Sequence, residues 1–207
     1  NNWERPIYFA TSIGRDNYLG LTEYFRFEGL AYRFVPIKAQ GVGQGQIGEI
    51  NTDILYENVM NKFKWGNISH PGFNVCHYVE RTVSVIDIRD IHYRLAEALI
   101  LEEKYDKAEE VLDRAIEILP DSKISFDYSV LSIIEAYYML EKFEKANEIA
   151  FTVLENYSQE LVYYDGFKGS KSSEVDRERT IAIYVIQQIY TFAVDYEQDA
   201  LSVSYTH

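Results

Sequence analysis

The sequence has almost no cysteine: Cys76 is the only one in 207 residues. A single thiol cannot close an internal disulfide, so no disulfide framework supports this fold, and the redox compartment stays open. Long apolar runs are missing too. None reaches the roughly 18 residues of a membrane span, so no direct membrane insertion by this stretch is expected. Positive charge is scarce in the second half. Residues 91–207 carry 11 Lys/Arg against 23 Asp/Glu, whereas residues 1–90 carry 9 against 10, so the net charge of −13 sits almost wholly in the second half. An acidic surface repels phosphate backbones and anionic headgroups, which argues against nucleic acid as a partner. The opening Asn1-Asn2-Trp3 has neither a Met nor a basic-then-apolar leader and reads as a cut inside a longer protein.

What is present suffices for a core: 47% of residues are hydrophobic and 15% aromatic. Arg5 to Ala10 reads as a short strand with Pro6 at its edge, and Tyr32 to Ile37 as a second. Thr11 to Asn17 is expected to be a loop, and Leu19 to Phe27 fits a short helix or an alternating strand. Asn51 or Thr52 can cap a helix to about Lys64 with Ile54, Leu55, Val59, Met60 and Phe63 on one face. Trp65 to Val83 is irregular.

The periodicity then becomes helical. Asp87 is a candidate cap for a helix carrying Ile88, Ile91, Leu95, Ala98 and Leu99. Tyr105 to Leu119, Phe126 to Leu140 and Phe143 to Tyr157 follow as helices, then a linker over Gly166 to Ser173 and a fifth helix over Val175 to Tyr196.

Self-similarity organises this half. If a unit of about 34 residues begins at Arg89, then Leu95, Ala96, Leu99, Tyr105, Ala108, Leu112, Ala115 and Pro120 take the tetratricopeptide positions. Ala96 and Ala108 are small where the paired helices cross, Ala115 where the next unit packs, and Tyr105 is expected to fill the gap beside the turn. Pro120 stops the second helix because it lacks an amide hydrogen. A second unit begins near Asp127, with Tyr137, Phe143 and Ala146 in place and departures at Ile134, Ala150 and Ser158. The turn Glu103 to Ala108 parallels Glu141 to Ala146, 38 positions apart, with Phe143 for Tyr105 and Glu144 for Asp106, which inserts about four residues between units. Two units are fewer than the three usual for a free stack, so the fifth helix and the N-terminal half are expected to cap the ends.

The first helix of each pair lines the concave face of such an array. That face presents Tyr93, Glu97, Ile100, Tyr128, Leu131, Glu135 and Tyr138 as candidate partner-binding residues. It lacks the Lys, Arg and Asn that clamp a terminal carboxylate. Tyrosine offers contact area with a polar tip. The alternative is that these tyrosines pack against the fifth helix and bind nothing.

Other motifs are weaker. Gly43-Gln44-Gly45-Gln46-Ile47-Gly48 matches G-x-G-x-x-G, but Ile68 and Ser69 stand where a ribose-binding acid belongs, and no strand follows to close a βαβ unit. His70, Cys76 and His77 have no standard zinc spacing, and no orienting group makes Cys76 a nucleophile. No catalytic residue, metal site or cofactor is assigned.

The N-terminal wording carries a resemblance. Asn2 to Ala10, Tyr18 to Leu21, Glu28 to Pro36, Asn51 to Met60 and Trp65 to Asn67 resemble the C-terminal soluble region of a Bacteroidetes family of large multi-spanning membrane proteins of unknown function. That family is similar to protein O-mannosyltransferases of the lipid-sugar-dependent glycosyltransferase superfamily. A tetratricopeptide-like tail commonly follows there, as here. The resemblance implies a tail on the periplasmic side of the inner membrane, with the catalytic acids in membrane-proximal loops outside this stretch.

The expected fold is therefore mainly α: a small α/β cap over residues 1–84, then a tetratricopeptide-type superhelix over 85–207 ending in a capping helix. The expected role is a non-catalytic extracytoplasmic accessory domain whose partners are a protein or peptide and its own membrane-embedded N-terminal part. The two strands would anchor the stack to that part. The alternative is a free-standing tetratricopeptide adaptor. An enzyme using the glycine loop or the His70–His77 region is a further rival.

Overall fold

The computed structural model describes residues 4–39, 46–76, 85–167 and 175–198. The chain is mainly helical, with a small strand region at its N-terminus, as the hydrophobic periods require. It divides into two compact units: Asn1–Gly66 with Arg94–Val111, and Asn67–Tyr93 with Leu112–His207.

The first unit is built on a four-stranded sheet of β1 (Ile7–Ala10), β2 (Phe25–Phe27), β3 (Ala31–Phe34) and β4 (Glu49–Ile50), in the order β1-β3-β2-β4. β3 pairs antiparallel with both β1 and β2, and β4 joins β2 in parallel. Alternation along β2 buries Phe25 and Phe27 while Arg26 faces the other way, 3.0 Å from Glu49. Phe25 stacks on Tyr32 at 5.4 Å, and Tyr18 meets both rings edge-on at 5.3 and 5.6 Å. Tyr18 comes from a 3-10 turn over Arg15–Tyr18, and a second such turn, Thr22–Tyr24, leads into β2. Leu19 to Phe27 is thus part turn and part strand.

Asn51 caps helix α1 (Thr52–Tyr56): its side chain accepts from the Ile54 amide at 3.0 Å. The helix then widens into a π-helical turn over Glu57–Lys62. Leu55 and Val59 are buried but Ile54 is 41% exposed, against the expected stripe. Gly48 has φ +83, and a Cβ there would lie 2.9 Å from the Phe27 amide nitrogen, so β4 can approach β2 only with glycine at this point.

Helices α2 (Val85–Leu101) and α3 (Tyr105–Ile118) contribute residues to both units. The compact units therefore do not follow a boundary at 84/85. The reason lies in side chains of the first unit. Arg94 lies 3.8 Å over the Phe27 ring and donates to the Ile47 carbonyl at 2.8 Å. Thr52 donates to Glu102 at 2.7 Å, and Tyr56 donates to Glu110. α2 begins at Val85, which places Asp87 inside its first turn and not at its cap.

The second unit adds α4 (Leu131–Met139), α5 (Phe143–Asp165) and α6 (Asp176–Asp195). α4 is entered through a 3-10 turn, Tyr128–Val130, capped by the Asp127 carboxylate on the Ser129 amide at 3.0 Å. α5 runs eight residues past the expected stop at Tyr157, because nothing before Gly166 breaks it.

Candidate functional site

The repeat register places its apolar residues inside. Leu95, Ala96, Leu99, Ala108, Leu112 and Ala115 are all buried, as are Ile133, Ile134, Tyr137, Ala146 and Ala150 at matching positions. α3 stops at Ile118, ahead of Pro120. Tyr105 does not fill the gap beside the turn: it is 52% exposed. The backbone closes that turn instead. Glu103 has φ 60, the Lys104 amide donates to the Leu99 carbonyl at 2.9 Å, and the Glu103 amide donates to Ile100 at 2.9 Å. The second turn repeats this: Glu141 has φ 58, and the Lys142 and Glu141 amides donate to Tyr137 and Tyr138, each at 2.9 Å. Both are paired helix-ending bonds that satisfy carbonyls the helix leaves open.

The expected concave-face residues fare unequally. Tyr128 is 47% exposed, Glu135 is exposed and Leu131 half-buried, at i, i+3 and i+7 spacing. Tyr93 and Ile100 are half-buried. Glu97 is half-buried and accepts from the Gln46 side chain at 3.1 Å, so the first unit's own loop engages it. Tyr138 is not available to a partner. It is 1% exposed, stacks on Tyr196 at 4.8 Å, and donates to Asn147 at 2.6 Å. Burial raises its phenol pKa to about 12. Tyr138 thus packs against the end of the fifth helix, while Tyr128 and Glu135 are exposed and Leu131 is half-buried.

Three buried basic side chains escaped the sequence reading. Arg89 is 1% exposed and donates to Ser129 Oγ at 3.0 Å and to the carbonyls of Leu119 and Ile124 at 3.3 and 3.1 Å, with Asp127 at 3.5 Å. It gathers the loop that carries the inserted residues between units. Arg94 holds the Ile47 carbonyl, and His92 is fully buried, its Nδ1 2.7 Å from the Ile88 carbonyl. Desolvation lowers the His92 pKa to about 4, so the imidazole is neutral near pH 7. Only a polar residue at an inward helical position could have signalled this.

The weaker motifs are tied into local structure. Gly43, Gln44, Gly45 and His77 lie outside the described residues. The carbonyls of Ile47 and Gly48 face Arg94, and Gly48 packs on β2, which is a packing role for the end of the glycine motif. His70 Nδ1 accepts from the Gly72 amide at 3.1 Å within a turn, and Cys76 is exposed. Among the described residues no group of three metal-ligating side chains converges. A cleft of about 440 Å³ in the second unit is lined by Asp113, Ile116, Pro120, Phe126, Tyr137 and Lys145. Its polar end is closed by Lys145 on Asp113 at 2.7 Å and the Tyr137 hydroxyl on Asp113 at 2.9 Å.

The Tetratricopeptide repeat family model matches residues 89–122, the register anchored on Arg89 and Pro120. The model of the TMEM260-associated domain 2 matches residues 1–54. No curated protein and no solved structure matches the chain. The chain thus contains a tetratricopeptide-repeat domain, preceded by a segment similar to TMEM260-associated domain 2.

Proposed function

We propose that this chain is the non-catalytic, extracytoplasmic accessory domain of a membrane glycosyltransferase-like protein, on the periplasmic side of the inner membrane. There it holds a protein acceptor or partner beside the membrane-embedded part. The observation that carries the reading is the pairing of two segments in one chain. A repeat whose general use is protein binding follows a segment similar to a TMEM260-associated domain, whose wording resembles the soluble tail of multi-spanning proteins. Tyr128, Leu131 and Glu135 would supply an aromatic and acidic contact rather than a carboxylate clamp. No helix among the described residues is long and apolar enough to cross a membrane.

Membrane fractionation of the full-length native protein, with protease added to intact spheroplasts, tests this. The expected result is that this segment pellets with membranes and is clipped from outside. A soluble, protected segment would overturn the reading and make the chain a cytoplasmic tetratricopeptide adaptor.

A further inference from the structure

The cleft of about 440 Å³ in the second unit takes its apolar lining from three places: Ile116 on α3, Phe126 in the loop of inserted residues, and Ile149 on α5. All three belong to the second compact unit. The loop is fixed from within that unit. Arg89 donates to the carbonyls of Leu119 and Ile124, and Asp121 Oδ1 accepts from the Phe126 amide at 2.7 Å and from the Asn156 side chain at 3.0 Å. A cleft of this size lies in the range of ligand sites, and walls already held in place leave little ordering to be done on binding.

The charge around it is unbalanced. Three carboxylates, Asp113, Asp121 and Glu148, line the cleft against one ammonium, Lys145. Lys145 is committed to Asp113: its Nζ lies 2.7 and 2.8 Å from the two carboxylate oxygens and 5.8 Å from the centre of the Tyr137 ring. The cleft thus already holds one cation, with an aromatic ring beneath it and a carboxylate at its head. Glu148, one turn along α5 from Lys145, is exposed and in no salt bridge among the described residues. Asp121 takes both of its N–H donors on Oδ1.

We infer that this cleft takes a lysine or arginine side chain of a partner peptide, its methylene stem on Ile116, Phe126 and Ile149 and its charged head at Glu148 and Asp121. A purely apolar side chain would fill the floor and leave the two acids unpaired, and an acidic one would be repelled. A long basic side chain answers both, because its stem is apolar and its tip is charged. The surplus of acids over residues 91–207, 23 against 11 Lys/Arg, draws a basic segment toward it. The inference goes beyond the accessory role. The cleft shares no residue with Tyr128, Leu131 and Glu135, and its chemistry is the same in whichever compartment the chain lies.

NMR titration of the whole chain with capped pentapeptides tests it. The central residue is arginine in one peptide and norleucine, which has the stem without the charge, in the other. The arginine peptide should shift the amides of Ile116, Ser122 and Ile149 saturably and bind about tenfold more tightly than the norleucine peptide. Glu148→Gln, at an exposed position, should keep wild-type helicity and weaken the arginine peptide about threefold. Tyr128→Ala should leave that affinity unchanged, which separates this cleft from the first-helix face. Equal affinity for the two peptides would overturn the inference, as would the absence of saturable shifts. Shifts scattered over the acidic surface and indifferent to Glu148→Gln would overturn it too, by showing charge attraction without a site.

Discussion

The Arg89 guanidinium donates to the carbonyl of Ile124 at 3.1 Å while 1% exposed, so one buried cation from the first repeat helix holds the loop that leads to the second. Leu119, Ser129 and Asp127 complete its shell, and the Phe126 ring lies 5.3 Å from it. Replacing Arg89 by Met keeps most of the volume but strands two carbonyls and leaves Asp127 without its cation. Arg89→Met should therefore lose about 3 kcal/mol, read as a lower urea midpoint at unchanged slope. A midpoint within error of wild type would mean that the loop does not need the cation.

The two matching turns set up an opposite expectation. Glu103 and Glu141 hold left-handed backbone that L-residues reach only at a cost, and glycine reaches freely. Glu141→Gly should stabilise the fold by about 0.5–1 kcal/mol even though it removes a side chain. Glu141 is exposed, so no packing is lost. A fall in melting temperature would contradict the turn geometry.

The turns and the repeat register were legible in the sequence because both are local. Ala96, Ala108, Ala115 and Pro120 announce a helix crossing and its end within one unit, and Glu103-Lys104 and Glu141-Lys142 recur in the same frame. What could not be read depended on distant backbone. Arg94 is buried because the Ile47 carbonyl, 47 positions earlier, accepts from it, and Arg89 because of carbonyls 30 and 35 positions later. In a helical pattern such residues count as outward-facing. Ile54 was misplaced too: it stands beside buried Leu55 in α1 yet is 41% exposed. Spacing alone could not separate Tyr128 from Tyr138, since the aromatic cover on Tyr138 comes from Phe192 in α6 and Tyr196 just beyond it.

That distinction is measurable. Tyr138→Ala removes a ring that is 1% exposed and should cost about 3–5 kcal/mol, as for other buried aromatics. Tyr128→Ala removes one that is 47% exposed and should stay within about 0.5 kcal/mol of wild type. Tyr128→Ala should nevertheless weaken capture of a partner peptide if this face is the docking surface. Equal stability losses for the two variants would place Tyr128 in the core.

Acid sensitivity should trace to His92. Its pKa falls from 6.5 to about 4 on folding, because burial opposes the charged ring and Arg114 adds repulsion, while its bond to the Ile88 carbonyl works the other way. The unfolded chain therefore takes up a proton near pH 6.5 that the folded chain refuses until about pH 4. Stability from this group is complete above pH 6.5, declines as pH falls, and levels off below about 4. Between pH 7 and pH 4.5 the loss amounts to about 2.5 kcal/mol. His92→Leu removes the titration while keeping an apolar side chain at the site, so its stability should fall by about that much less over the same interval, whatever its starting value. Carboxylates elsewhere titrate equally in both proteins and cancel in the comparison. Parallel stability–pH curves for wild type and His92→Leu would show that the imidazole is hydrated and not sealed between the helices.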